Sequence, residues 1–536
     1  MGMYLDSSDG FTLYEKVQNS KWYVDKTELI PEVFSRIGTS ENYICITRPR
    51  RFGKTVAANM LSAYFCCEKD AHILFDKCNV SQNIDYENNI NKFHVISIDF
   101  SKMDDSCDNY EKYISRIKTL LSNDLRKCFP DVEFTDDSNV AEELKQVFEA
   151  TGEQFVFIFD EWDAVFHMNF ITEKDRHRYL LFLKNLLKDQ AYVAVAYMTG
   201  ILPIAKYSSG SELNMFMEYT MVGEEKFSKY FGFCQEEVEK LYLSFLSEEK
   251  EPRLSLNDLA QWYDGYHTMS GNRIYNPRSV SVALTNNNLG NYWTSSGPYD
   301  EIFYYIRNNI EGVKNDLARM VTGQQVRCEA KEYAATSMNL KTRDEILSAM
   351  VVYGFLTYSD GFVMIPNKEL LGQFTDMLYK EESLGYVHRL AKESEKILDA
   401  TIDGNENVIA GILEQFHDTE APILQYNNES DLSAIVNLAY LAARDRFDVQ
   451  REDKSGKGFV DFIFYPRKNE KVGIILELKV DSTADEAIKQ IKDKKYVSRL
   501  QGKVAESSMI EEAILVGISY DKKQKKHDCK IERISI

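Results

Sequence analysis

The sequence predicts an α/β protein in three parts: a parallel sheet flanked by helices, a mainly helical middle, and a second α/β region at the C-terminal end. Over the first 210 residues or so, apolar runs of strand length alternate with amphipathic helical stretches, the pattern of a parallel sheet with helices on its faces. From about 224 to 350 the helical period dominates, and from about 430 strands return. A length of 536 residues suits about three domains. The boundaries read as 1–215, 216–380 and 381–536.

In the first part, strands are expected at Tyr43–Thr47, Val95–Phe100, Phe155–Asp160 and Tyr192–Met198. Helices are expected near 54–67, 108–127, 140–150 and 174–188. The middle carries helical stretches at Lys226–Leu246 and Asp300–Asn309. A helix at Arg343–Val352 is followed by two short apolar runs around Asp360-Gly361, a hairpin signal, so a winged-helix-like module is expected there. Two helices after about 380 lead into the last α/β region.

Thr47-Arg48-Pro49-Arg50-Arg51-Phe52-Gly53-Lys54-Thr55 directly follows a strand and opens a helix, the context of a phosphate-binding loop. There the backbone of Arg50, Arg51, Phe52 and Gly53 would cradle phosphate. Lys54 would reach the outer phosphates, and the Thr55 hydroxyl would hold Mg2+. Arg48 replaces the first Gly of the usual pattern, so the loop is expected to turn at Pro49. Gly-Lys-Thr alone also suits a solvated loop. The strand Phe155–Phe159, which ends in Asp160 and Glu161, strengthens the nucleotide reading. Asp160 would hold Mg2+ and Glu161 would polarise the attacking water. Thr199, at the end of the next strand, is either a sensor of the outer phosphate or a turn cap. Arg50, Arg51 and Arg278 are candidates for a guanidinium that stabilises transition-state charge, against a surface role for each.

A second chemical signal lies near the C-terminal end. Asp461 sits in the strand-like run Gly456–Tyr465, and Glu477 and Lys479 interrupt the apolar run Val472–Val480. Residues two apart on a strand share a face, so Glu477 and Lys479 point the same way and Asp461 can meet them from the neighbouring strand. Two carboxylates and a lysine converging at a sheet edge form the Asp…Glu-x-Lys arrangement of metal-dependent phosphodiesterases. Mg2+ takes hard oxygen ligands, usually one or two carboxylates with water and phosphate, and Asp461 and Glu477 would supply them. A plain Lys479–carboxylate ion pair is the other reading. Glu452 and Glu429 are further candidate ligands, and an acid at a helix N-terminus is equally a dipole partner.

Six stretches carry a family resemblance: Tyr23–Thr27, Thr47–Thr55, Phe159–Glu161, Tyr263–Tyr266, Tyr275–Ser279 and Tyr292–Gly297. Through them nearly the whole chain resembles bacterial AAA-ATPase-like proteins with a C-terminal PD-(D/E)xK nuclease-like domain. The resemblance implies an AAA-like P-loop NTPase core that binds ATP, a helical lid, and a restriction-endonuclease-like α/β domain of order α–β–β–β–α–β. Within the last, Gln490 and Tyr496 resemble the Gln…Tyr helix that helps position the metal. The Arg-Pro-Arg-Arg-Phe-Gly-Lys-Thr loop is itself a marker of the family.

The net charge of −20 argues against a bulk coat for nucleic acid or membrane. Residues 467–536 are nonetheless basic, with 16 Lys and Arg against 12 Asp and Glu. No basic-then-apolar leader opens the sequence, no apolar run approaches membrane length, and nine cysteines without CxxC spacing suit a reducing, cytoplasmic setting. Together these features predict an ATP- and Mg2+-dependent enzyme acting on nucleic acid, DNA in the first instance. The alternative is a nucleotide-switched sensor with a silent nuclease-like domain. An oligomer stays open.

Overall fold

Every residue of Phe155–Asp160 is buried, as a strand inside a doubly covered parallel sheet requires. In the computed structural model it is β3 of a five-stranded sheet with β1 (Tyr43–Thr47), β2 (His94–Asp99), β4 (Val193–Gly200) and β5 (Met217–Tyr219). The order is β2-β3-β4-β1-β5, with every pairing parallel. The structure describes residues 2–135, 139–204, 212–223, 225–293, 312–329, 340, 342–420, 429–455, 458–467, 470–498, 500 and 510–536. The chain forms two units: Met1–Ile302 with Arg327–Leu370, and Phe303–Val326 with Leu371–Ile536.

Alternation along β3 divides the core of the first unit. Phe155, Phe157 and Phe159 face one hydrophobic layer, and Val156 and Ile158 face the other. Helix α1 (Asp9–Gln18) and α2 (Lys54–Phe65) cover the second face; α3 (Tyr110–Cys128), α4 (Val140–Thr151) and α5 (Glu173–Leu187) cover the first. On α3 the buried residues Tyr113, Ile114, Ile117, Leu121 and Leu125 recur every three or four positions, one apolar stripe against the sheet. Asn139 and Thr172 cap α4 and α5 through reciprocal boxes with Glu142 and Asp175. Strand β5 was not expected from the sequence. It has three residues, of which only Tyr219 is buried, so it carries no apolar run.

The helical stretch expected at Lys226–Leu246 is shorter. Gly232 adopts φ +85 and Phe233 bridges to Tyr275, so regular helix begins only at α6 (Gln235–Glu248). Two more helices follow, α7 (Leu256–Tyr263) and α8 (Pro277–Asn286). The helix expected at Asp300–Asn309 and residues Thr294–Gly297 of the last marker lie outside the described residues. Then come α9 (Arg343–Tyr353), β6 (Thr357–Ser359), β7 (Phe362–Met364) and α10 (Lys368–Lys380). The hairpin turns at Asp360 and Gly361, both left-handed at φ 50 and 86, which is why Asp-Gly stands there.

In the second unit, α11 (Tyr386–Asp403), α12 (Glu406–Glu420) and α13 (Glu429–Ala439) precede a mixed sheet. Helix α13 breaks after Ala439, where the Ala442 N–H turns to the Ser394 hydroxyl at 3.2 Å. The sheet runs β8 (Phe447–Ser455), β9 (Gly458–Pro466), β10 (Val472–Val480), β11 (Glu512–Asp521) and β12 (Lys526–Ser535), in that order. Only β10 and β11 pair in parallel, across α14 (Ala484–Asp493). None of the described helices is long and apolar enough to cross a membrane.

Helix α14 lies directly on β11 because position 517 has no side chain. A Cβ on Gly517 would come 2.3 Å from the Ala484 carbonyl oxygen and 3.1 Å from the Ala487 Cβ. Gly517 pairs with Glu477 across β10 and β11, so this approach also sets the height of α14 above Glu477. Replacing Gly517 by Ala should lift the helix and destabilise the unit by about 1–3 kcal/mol, read from denaturant unfolding. An unchanged midpoint would show that the helix is not so pinned.

Candidate functional site

The loop between β1 and α2 is built to leave donors free. Gly53 opens α2 at φ +94 with no side-chain cap, unlike α4 and α5, so the first N–H groups of α2 stay available to an anion. The sequence places the turn at Pro49, but the left-handed residues are Arg51 (φ 68) and Gly53. Arg48 instead acts as an anchor. It is buried, its guanidinium donates to the carbonyls of Thr47 and Tyr219 at 2.8 Å each, and it lies 5.2 Å over Phe231. That tie joins the end of β1 to β5, and burial pushes the Arg48 pKa down to about 10. Phe52 buries its ring edge-on against Tyr266.

Lys54 is buried; its ammonium donates to the Pro49 carbonyl at 3.2 Å and lies 3.9 Å from Glu161. Thr55 hydrogen-bonds the Asp160 carboxylate at the end of β3. Burial pushes Asp160 up to about 7, the Thr55 bond opposes this, and Glu161 and Asp99 add repulsion. Burial likewise raises Glu161, with Lys54 pulling the other way. Glu161 holds a left-handed φ of 50, a strained backbone at the strand end. Arg50, Gly53, Lys54, Thr55, Glu161 and Arg278 line a cavity of about 1160 Å³. Asp160 and Thr199 are buried beside it without lining it, and the Thr199 hydroxyl has no hydrogen-bond partner.

Of the three arginines, Arg278 rises from the first turn of α8 into the cavity, where the Asn276 side chain caps the helix. Arg51 donates to the Tyr292 carbonyl; burial lowers its pKa, and the Arg278 charge adds to this. The Tyr292 segment is held by the buried Glu369 carboxylate, which accepts the N–H groups of Tyr292 and Trp293 at 2.6 and 2.8 Å and the Ser279 hydroxyl. The loop is thereby wired to α8 and α10. Sequence reasoning missed Glu369, which carries no local motif. It also missed Asp99 and Ser101 at the end of β2, though Asp99 pairs in register with Asp160. Tyr23 on the cavity wall belongs to the Tyr23–Thr27 marker and could have been read from it, with Trp22 just before it.

The second centre forms where β9 and β10 run side by side. Phe462 pairs with Leu476, so Asp461 and Glu477 are the next residues along. These strands are interior to the sheet, not at its edge as expected, because β8 and β11 flank them. Asp461 accepts the Leu478 N–H at 2.7 Å. Glu477 is 3% exposed; one oxygen accepts from Gln490 and from Lys479 at 3.3 Å, and the other is buried without a partner. Burial pushes Glu477 up to about 7, Asp461 repels it further, and Lys479 opposes both. Gln490 also bonds Tyr496, so α14 and the turn that follows it steer the acid. Glu429, at the start of α13, lies 3.7 Å from Lys479. Glu452 falls within β8, and its side chain is outside the described residues, as are Gly456 and Lys457.

An orphaned, buried oxygen on Glu477 beside a second carboxylate is the donor set a hard divalent cation fits. Asp461 and Glu477 would hold it, with Lys479 and Gln490 fixing the Glu477 rotamer. Without a cation, Glu477 favours folding fully below its ordinary value of 4.5, and this contribution is lost as pH rises through about 7. Thermal unfolding of metal-free wild type and Glu477→Gln, scanned from acid to neutral pH, should therefore show wild type losing stability relative to the variant. A constant difference across that window would refute the buried-acid account.

Two family models match separate parts of the chain. A family model described as predicted AAA-ATPase matches residues 10–209, and one for the PD-(D/E)XK nuclease superfamily matches residues 428–529. Among solved structures, the chain is similar to a Walker-type ATPase of Pyrococcus abyssi, at 12% identity and TM-score 0.38, over 65% of this chain and 94% of that one. It is also similar to the ORC2 protein of Aeropyrum pernix in its ADPNP–ADP complexes, at 10% identity and TM-score 0.32, over 70% and 95% of the two chains. The ORC1 protein of Aeropyrum pernix in complex with DNA follows, at 11% identity and TM-score 0.28, over 66% and 91%. No curated protein matches the chain. The chain thus joins a domain of the predicted AAA-ATPase family, over residues 10–209, to a domain of the PD-(D/E)XK nuclease superfamily, over residues 428–529.

Proposed function

We propose that the protein is an ATP- and Mg2+-dependent phosphodiesterase acting on nucleic acid, DNA in the first instance, with nucleotide occupancy of the first domain controlling cleavage in the second. The observation that carries this is the Asp461–Glu477–Lys479 centre, whose spare Glu477 oxygen is buried and unpartnered. A divalent cation held there supplies Lewis acidity to a scissile phosphate. Lys479, within reach of Glu477 and of the Leu478 carbonyl, positions a water and offsets charge building on the phosphorus oxygens. Asp461, tied to the Leu478 N–H, keeps β9 and β10 in register at the reacting end.

At the nucleotide cavity, the free N–H groups of α2 and the Lys54 ammonium receive the phosphates, and Thr55 and Asp160 are placed to hold their Mg2+. Glu161 faces Lys54 and orients the attacking water, while Arg50 and Arg278 bring positive charge to the same cavity. Thr199 reads the outer phosphate by a shift of its buried hydroxyl. The helix and hairpin at 343–364 serve as a winged-helix-like element. Exposed Lys522, Lys523, Lys525 and Lys526 lie at the β11–β12 turn, at the strand end shared with Lys479, where a phosphate backbone gains from positive charge.

Single- and double-stranded DNA and RNA, incubated with Mg2+ with and without ATP, test the reading. Wild type should cleave one of them in an ATP-sensitive manner. Asp461→Ala should lose roughly 100-fold or more of cleavage while keeping ATP binding. Lys54→Ala should lose ATP binding and, with it, the ATP response. Nucleotide binding without cleavage of any substrate would replace the enzyme by a nucleotide-switched sensor.

A further inference from the structure

At the far side of the first domain, three donor side chains from three separate segments meet. Asp6 belongs to the N-terminal segment, which lies along β2, the outer strand of the sheet: Leu5 bridges Ile96, and the Asp6 N–H donates to the Val95 carbonyl at 2.8 Å. Asp6 is 1% exposed and left-handed at φ 50. One of its oxygens accepts the Val95 N–H at 2.8 Å, and the other faces His94 Nδ1 at 2.6 Å. Cys67 stands just past the end of α2, fixed by its N–H to the Phe93 carbonyl at 3.0 Å, with Sγ 3.6 Å from the same His94 Nδ1. The His94 ring is gripped edge-on by Phe129, 5.0 Å away. Among the described residues this is the one cluster that brings three such donors within 4.8 Å of one another.

We propose that Asp6, Cys67 and His94 bind a zinc-class divalent ion that staples the N-terminal segment to β2 and to the end of α2. Zinc takes nitrogen at about 2.0–2.1 Å and sulfur at about 2.3 Å, so a tetrahedral N···S edge is about 3.6 Å. The His94–Cys67 separation is 3.6 Å. The corresponding N···O edge is about 3.4 Å, so the Asp6–His94 contact opens by about 0.8 Å when an ion replaces the shared proton. A thiolate, an imidazole and a carboxylate are the mixed donors that select zinc over Mg2+. Cys67 is exposed, which leaves an entry path and a fourth position for water. The second oxygen of Asp6, held by Val95, is the outer support that orients a metal-binding carboxylate. The site is separate from the nucleotide cavity, since α2 has 12 residues, about 18 Å of helix, between Lys54 and Cys67.

Cobalt(II) is the probe, added to the full-length chain stripped of metal and kept reduced by a phosphine. Wild type should develop a thiolate-to-cobalt charge-transfer band that saturates at a single equivalent and is bleached by Zn2+. Cys67→Ser, a near-isosteric change at an exposed side chain, should lose the band while its far-UV circular dichroism stays unchanged. Zn2+ should raise the Tm of wild type and leave that of Cys67→Ser in place. Asp461→Ala, altered only at the other centre, should keep the band. Absence of the band in wild type, or its survival in Cys67→Ser, overturns the proposal.

Discussion

Asp160 and Glu477 are carboxylates placed in apolar strands, and burial pushes each up to about 7. A fully exposed acid there would cost nothing and do nothing. A buried one favours whatever neutralises it, a proton or a cation. Thr55 and Lys54 reach toward the acids at the end of β3 without cancelling the charge, and Gln490 and Lys479 do the same for Glu477. Apolar packing and site chemistry are therefore linked: the same strand that fills the core raises the affinity of its terminal acid for a positive partner.

That link explains how much was legible beforehand. Phe155–Asp160 reads as a buried strand ending in an acid because six residues in a row carry the pattern. Gly53-Lys54-Thr55 reads because glycine, lysine and hydroxyl are adjacent, and Glu477 and Lys479 read because a strand puts alternate residues on one face. Each is a local signal. Arg48 looked like a missing glycine, and its role appears only when Tyr219, 171 residues away, comes to lie beside it. Glu369 meets Tyr292 across 77 residues, and Asp6 meets His94 across 88. No spacing rule links such partners, since the fold alone decides their distance.

The structure also corrected the setting of the second centre. A sheet edge would leave Asp461 and Glu477 open to water, with acid strengths close to those of free side chains. Enclosed between β8 and β11, with α14 lowered onto Gly517, Glu477 is desolvated instead. The mixed pairing matters as well. Because β10 and β11 run parallel, Val480 and Tyr520 finish at one end, and the turn that follows β11 brings lysines to the side where Lys479 stands.

Charge then orders what can happen at that end. Glu477 and Glu429 flank Lys479, and Asp461 lies on the neighbouring strand, so carboxylates outnumber the lysine at this centre in a protein of net charge −20. A phosphodiester brings more of the same sign. Under the proposed function the exposed lysines at the β11–β12 turn would attract its backbone from solvent, where screening limits their reach to about 8–10 Å. They cannot offset the buried Glu477 carboxylate at contact distance, and a bound cation would. Under the proposed function, backbone capture and acid neutralisation would be separate tasks, the first for the exposed lysines and the second for a cation on the Asp461–Glu477 oxygens. Salt should weaken the former far more than the latter.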